Sequence, residues 1–316
     1  MTEKFVLGID TSNYTCSAAI YEAENGSVRQ SKQLLPVKAG EKGVRQSDAV
    51  FHHTVLLPQM LDTLSDMLPE VCAVGVSDRP SCREGSYMPC FMVGLGTAKA
   101  IAAARGVSCY TTTHQTGHIL AALYSAGSLD LVGSGREFIA FHVSGGTTDM
   151  LLCSPDGERL LNVTRIGGSS DLKAGQAIDR CGVMLGLQFP CGAELERLAA
   201  KDYDSIKVKP SVRGTECSLS GIENKCKKLY DDGAESSYIA AYCLKSVEAA
   251  ITVMTEAALK EYGSGLPVIY AGGVMSDKLI ADSLGSRFGA MFAAPEYSCD
   301  NAAGTAIYAA FMKGLI

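Results

Sequence analysis

Phe5-Val6-Leu7-Gly8-Ile9 is an unbroken apolar run that stops at Asp10, the pattern of a strand buried on both faces and closed by an acid. A small polar turn, Thr11-Ser12-Asn13-Tyr14, leads into a second strand from Thr15 to Tyr21. The same succession returns about half a chain later, with a strand from Phe138 to Val143, the turn Ser144-Gly145-Gly146-Thr147-Thr148 and a strand from Asp149 to Cys153. Each copy runs on into another extended segment and then into helices, which favours duplication over chance likeness of two hairpins.

Between the copies, Asp48 to Leu68 reads as an amphipathic helix with Val55, Leu56, Pro58, Met60, Leu61 and Leu64 on or near its apolar face. Ala73 to Val76 reads as a strand, Gly94 to Ala104 as a helix, and Val107 to Tyr110 as a short strand entering a helix that carries two histidines. In the second half, helices are expected at Gly175 to Leu185, Ala193 to Ala200 and Ser236 to Tyr262, and strands at Pro267 to Ala271 and Met291 to Ala294. Helices alternating with strands predict α/β domains with mixed sheets. A chain of 316 residues suits two domains better than one core, and no low-complexity tract separates them, so the boundary near residue 132 is a crossing and not a tether.

Composition narrows this picture little: 47% hydrophobic and 20% charged residues describe an ordinary globular protein. The net charge of -6 argues against a surface that grips nucleic acid all over, although it leaves room for a local basic patch. The first apolar run is too short for a signal peptide and no segment approaches the length of a membrane span, so a cytoplasmic location without membrane contact is expected. Twelve cysteines without a CxxC pair fit a reducing compartment. Cys72, Cys82, Cys90, Cys109, Cys153 and Cys191 read mostly as buried small hydrophobes, and a cysteine cluster is not expected.

His114 and His118 lie four positions apart, so on a helix both imidazoles project from one face and can reach one cation. The plainer alternative is two helical histidines meeting solvent or a carbonyl. A distant acid, Asp300, precedes a small-residue helix, and His142 stands beside Val143-Ser144-Gly145-Gly146. Two imidazoles and a carboxylate with open positions suit one divalent iron or zinc ion better than magnesium. The amides of Ser144 to Thr148 suit a phosphate and Gly272-Gly273 suits a flat adenine or a ribose, although a glycine pair after a strand is commonly only a turn. Together with Asp10 at the end of the first strand, these turns favour a nucleotide held in a cleft between two lobes. Asp10 and Ser12 are the catalytic candidates. Ser12, Ser144 and Ser220 read as turn or phosphate hydroxyls rather than as covalent nucleophiles.

These motifs resemble the universal tRNA threonylcarbamoyladenosine transferase family, long labelled O-sialoglycoprotein endopeptidase. The likeness runs almost end to end: Leu7-Gly8-Ile9-Asp10-Thr11-Ser12, His114 with His118, Val143-Ser144-Gly145-Gly146, Gly175-Gln176-Ala177-Ile178-Asp179, Phe189 to Glu196, Ser218-Leu219-Ser220-Gly221, Ala271-Gly272-Gly273-Val274 and Cys299-Asp300-Asn301-Ala302. The resemblance implies two duplicated domains of the actin, hexokinase and heat-shock-chaperone class (ASKHA, RNase H-like), with a nucleotide and metal cleft between them. One lobe would take residues 1–132 and about 297–316, the other 133–296. It implies His114, His118 and Asp300 as metal ligands. His142, Val143, Ser144, Gly145, Gly146, Asp179, Gly192, Glu196, Gly272, Gly273 and Asp277 would contact an adenine nucleotide, whether threonylcarbamoyl-adenylate, ATP, ADP or AMP; His142 stands where some members carry a tyrosine that reaches the metal. The implied reaction moves a threonylcarbamoyl group from its adenylate to the exocyclic amine of the adenosine next to the anticodon. The implied partners are tRNA, a subunit of related fold and an ATPase-type subunit.

The chain also departs from the family's pattern. Asp10-Thr11-Ser12-Asn13-Tyr14-Thr15 stands where Glu-Thr-Ser-Cys-Asp-Glu-Thr is usual, Ser77 to Ser86 replaces a Gly-Pro-Gly-Leu turn, and Thr147 replaces a His or Asn. Asp277 stands in place of the expected asparagine. Those departures motivate a second reading, a non-catalytic nucleotide-binding paralogue serving as an interaction subunit, which retention of His114, His118 and Asp300 opposes. A sugar or acyl kinase lacks an obvious catalytic acid, and a protease lacks the glutamate beside the histidine pair.

Overall fold

The computed structural model describes residues 4–12, 14–36, 44–298 and 302–316. Two compact units divide the chain: the described residues of 1–135, 155–162 and 299–316 form the first, and those of 136–154 and 163–298 the second. The first sheet comprises β1 (Phe5–Thr11), β2 (Thr15–Glu22), β3 (Val28–Leu34), β4 (Val71–Arg79) and β5 (Ser108–Thr113), in the order β3-β2-β1-β4-β5. Central β1 runs antiparallel to β2 and parallel to β4. It is buried from Val6 to Thr11, which is why its sequence is apolar without alternation. Helices α1 (Gln46–Asp62), α2 (Phe91–Arg105), α3 (His114–Ser125) and the short α4 (Asp130–Gly133) complete this part of the unit. Its core gathers Leu7, Ile9, Leu57, Leu64, Val74 and Phe91.

The second sheet comprises β6 (Phe138–Val143), β7 (Thr148–Asp156), β8 (Leu160–Ser169), β9 (Val212–Arg213), β10 (Glu216–Cys217), β11 (Val268–Ala271) and β12 (Met291–Phe292), in the order β12-β11-β6-β7-β8-β10-β9. Its β8-β7-β6-β11-β12 portion repeats the strand order of the first sheet. The pairings repeat as well, since β6 is antiparallel to β7 and parallel to β11. Helices α5 (Ala174–Met184), α6 (Gly192–Ala199), α7 (Ser220–Asp231), α8 (Ser236–Tyr262) and α9 (Lys278–Phe288) accompany this sheet. Among them α8 buries Ile239, Leu244, Val247, Ile251 and Met254 in the second core.

The last helix, α10 (Ala303–Lys313), returns to the first unit and presses on its sheet. A Cβ at Gly8 would sit 2.3 Å from the Ala302 carbonyl oxygen, and one at Gly75 would collide with the Thr305 carbonyl. Only glycine lets the helix backbone come this near the strands. No helix among the described residues is long and apolar enough to cross a membrane.

Several expected boundaries shift. Helix α1 stops at Asp62 rather than Leu68: the Thr63 hydroxyl donates to the Met60 carbonyl at 2.7 Å, and a separate 3-10 turn begins at Leu68. Strand β4 continues to Arg79 by pairing with β5 through a register shift between Ser77 and Arg79, so the altered loop begins at Pro80 and not at Ser77. The last strand is two residues long, Met291–Phe292, rather than four. Helices α7 and α9 were absent from the sequence pattern. Cys90, Cys153 and Cys191 are buried as expected and Cys72, Cys82 and Cys109 half-buried, while the sulfurs of Cys181, Cys226 and Cys243 lie within 4.8 Å of one another, a grouping that was not expected. Helical packing joins residues 45 and 17 positions apart in sequence, which no local spacing reveals.

Candidate functional site

Thr113 at the end of β5 caps α3, its hydroxyl accepting the Thr116 amide at 3.0 Å. The cap starts the helix at His114, so His114 and His118 occupy successive turns of one face. Their Nε2 atoms stand 3.0 Å apart. Two imidazole nitrogens bound at about 2.1 Å in adjacent positions of an octahedral shell would be separated by about 3.0 Å. The same contact fits a direct hydrogen bond between the two rings, so the spacing is compatible with one shared cation and does not by itself require it. On the far side of the ring, His114 Nδ1 donates to Asp10 Oδ2 at 2.7 Å, since a carboxylate can only accept. With Nδ1 as the donor, a neutral ring carries its lone pair on Nε2, and a carboxylate behind the far nitrogen is an arrangement that metal-binding histidines use.

Asp10 is itself held. Its Oδ1 accepts the Ser12 amide at 2.8 Å, and the residue is 1% exposed. Both carboxylate oxygens thus have partners within the protein, and Asp10 orients His114 rather than facing outward. Ser12 Oγ is buried and has no hydrogen-bond partner among the described residues. Of the expected metal ligands, Asp300 lies outside the described residues.

Sequence reasoning missed His53 on α1. Its Nε2 meets the Ser12 carbonyl at 2.8 Å, and burial lowers its pKa, so the ring is neutral and donates Nε2–H. The signal was present in the expected helix, where a histidine occupied a core-facing position. Beside the α3 cap, the first unit contains a cavity of about 290 Å³ whose walls include Arg79, Arg83, Ser86, Thr112, Thr116 and Tyr308. The loop that departs from the family pattern supplies part of that wall.

The expected nucleotide contacts all fall in the second unit. His142 and Val143 end β6, where His142 lies between Asp149 of β7 and Ala271 of β11. Ser144 folds the following turn: its amide donates to the Thr147 carbonyl at 2.7 Å, while its hydroxyl accepts the amides of Gly146 at 3.3 Å and Thr147 at 3.1 Å. The structure thus gives Ser144 a turn-forming role. A Cβ on Gly145, Gly146, Gly192 or Gly273 would meet open space. Gly272 is different, with φ +101° and its Cα so near β6 that a Cβ would lie 2.3 Å from the Val143 carbonyl oxygen.

Asp179 receives the Cys191 amide at 2.9 Å and so anchors the chain entering α6, which carries Glu196. Asp277 caps α9 by accepting the Ile280 amide at 3.1 Å. Burial, supplemented by the negative charge of Glu196, pushes its pKa up to about 6. A second missed residue, Asp171, gathers the Ser218 to Gly221 motif by accepting the hydroxyls of Ser218 and Ser220, each at 2.6 Å, and the Leu219 amide. Desolvation raises its pKa, but these hydrogen bonds outweigh it and hold the carboxyl well below the usual range.

A sequence model of the tRNA N6-adenosine threonylcarbamoyltransferase family matches residues 32–307. The chain belongs to this family. Its relatives include the tRNA N6-adenosine threonylcarbamoyltransferases of two Dehalococcoides mccartyi strains, each 29% identical over 294 residues that cover 89% of this chain and 85% of theirs. The family is one of tRNA-modifying transferases, which makes the chain an acyltransferase-family enzyme by descent.

Solved structures support the same fold class. The chain is similar to the (R)-2-hydroxyglutaryl-CoA dehydratase component A of Acidaminococcus fermentans, with TM-score 0.56 and 15% identity over 98% of both chains. It is also similar to HypF of T. kodakarensis, with TM-score 0.57 and 13% identity over 99% of this chain and 48% of that one. The fold is thus of the ASKHA, actin- and hexokinase-like class.

Proposed function

We propose that the chain is a metal-dependent transferase that moves threonylcarbamoyl from threonylcarbamoyl-adenylate to the exocyclic amine of the adenosine next to the anticodon in tRNA. The observation that carries this reading is the His114–His118 pair, with Nε2 atoms 3.0 Å apart and His114 clamped by Asp10.

In this reading His114 and His118, with Asp300, hold one divalent iron or zinc ion, whose Lewis acidity would polarise the carbamoyl oxygen. Asp10 is a positioning residue that keeps the His114 lone pair aimed. Ser12, beside Asp10 at the end of β1, contributes its hydroxyl to the bound donor. The open faces of Gly145, Gly146, Gly192 and Gly273 accept the adenylate, with Asp179, Glu196, Asp277 and His142 around it. The amine nitrogen bonds to the carbamoyl carbon as the carbon–oxygen bond to the phosphate breaks, AMP leaves with the electron pair, and the amine proton passes to solvent. No protein side chain is acylated. A related-fold partner and an ATPase-type subunit would complete the working assembly.

Chelation tests the metal requirement. Protein stripped of metal should lose transfer and recover it when Fe(II) or Zn(II) is restored, with elemental analysis tracking about one ion per chain. Full transfer by protein shown to be metal-free would end the proposal.

A further inference from the structure

Three thiols converge in the second unit, none of them given a role above, although Cys181 lies two positions after Asp179 on α5. Cys181 comes from α5, Cys226 from α7 and Cys243 from α8, and all three are buried, at 1%, 1% and 0% exposure. Their sulfurs lie within 4.8 Å of one another, and no imidazole or carboxylate among the described residues joins the group. The surroundings are apolar, with Ile178, Ile222, Ile239 and Leu244 in the same core.

We infer that Cys181, Cys226 and Cys243 form a second metal site, which takes one soft, thiophilic cation of the copper(I) kind through three thiolates. Three equal bonds of about 2.3 Å in a plane separate the sulfurs by about 4.0 Å. Separations bounded by 4.8 Å differ from that by less than about 1 Å at the upper limit, within reach of cysteine rotamer adjustment. Thiolate donors select copper(I), zinc and iron–sulfur clusters over hard cations. Copper(I) is satisfied by three sulfurs in a plane, whereas structural zinc sites are tetrahedral and demand a fourth ligand. Cys191 is buried in the same unit but stands outside the group. On binding, each thiol releases its proton to solvent, so the site carries three thiolates and one cation. Ordinary packing explains one buried cysteine as a small hydrophobe. The Cys243 thiol also donates to the Ala177 carbonyl at 3.8 Å, which accounts for that one sulfur and not for the convergence of all three.

The probe is copper(I) delivered to the full chain under reducing, oxygen-free conditions, followed by desalting, metal analysis and X-ray absorption at the copper edge. The expected result is one retained copper per chain with a shell of sulfur alone. Cys226→Ser should abolish retention, Cys191→Ser should leave it unchanged, and a His114→Ala/His118→Ala protein should still bind. Should Cys226→Ser fail to fold, the sulfur-only shell in the wild-type chain still decides. No retained copper, a shell containing nitrogen, or equal retention by folded Cys226→Ser would overturn the site. Zinc(II) competing copper away from the same sulfurs would overturn the copper(I) assignment.

Discussion

Asp10 is the residue on which the histidine pair depends, although it reaches no substrate in the reading above. Its carboxylate spans the Ser12 amide and His114 Nδ1, so Asp10→Asn keeps the shape but no longer favours a single donating Nδ1–H partner. Metal affinity should fall about 10- to 100-fold with the fold retained, as read by competition with a metal-binding dye. Unchanged affinity would mean that Asp10 serves the strand end alone.

Asp277 makes a different prediction at the same scale. Burial raises its folded pKa from 3.8 to about 6, so the native state binds the proton more tightly than the unfolded chain does. Stability contributed by this group is therefore greatest below about pH 4 and declines as pH rises to about 6. Asp277→Asn keeps an oxygen for the Ile280 amide but cannot ionise. The variant should match wild type near pH 4 and exceed it above pH 6 by up to about 3 kcal/mol in urea unfolding. A constant difference across that range would contradict the burial argument.

Helices α3 and α10 cross with almost no space between them. A Cβ at Gly304 would collide with the backbone carbonyl of Gly117, which lies between the two histidines on α3. Gly304→Ala must push α3 away, costing roughly 1–3 kcal/mol of stability and disturbing the His114–His118 geometry together. Denaturation and metal titration should both register the change. Gly96→Ala on α2, where a Cβ meets open space, should leave both nearly unaltered. The Ser144 to Thr147 turn behaves in the opposite way. Gly145→Val points into open space, so the fold should survive while adenine-nucleotide binding weakens in calorimetry.

At this scale the sequence was readable where one physical signal dominated. The unbroken apolar run of β1 and the long periodic α8 were legible, as was the spacing of the two histidines. Helix α7 was not, because its exposed face is rich in lysine and it buries only Ile222 and Cys226. His53 sits on the core face of α1 with Ala49, Leu56, Leu57 and Met60, so its burial was legible, but its bond to the Ser12 carbonyl leaves no mark in spacing. The cysteine group is formed by tertiary packing alone.

For the whole molecule, the duplicated strand order was foreshadowed by two copies of strand, turn and strand, and the chain's family by its ordered motifs. What spacing could not reveal was the wiring inside each unit: Asp10 on His114, Asp179 on the α6 entry and Asp171 on the Ser218 to Gly221 motif. These are long-range hydrogen bonds, and they decide which motif residues support the fold and which face a ligand.

The most direct measurement is nucleoside analysis of tRNA after incubation with the purified chain, threonylcarbamoyl-adenylate, a divalent ion and the candidate partner subunits. Threonylcarbamoyl-adenosine should appear with the wild-type chain and be absent with the His114→Ala/His118→Ala protein, whose fold and partner binding persist. No modified adenosine from the wild-type chain under any partner combination, or equal modification by the double variant, would contradict metal-dependent transfer.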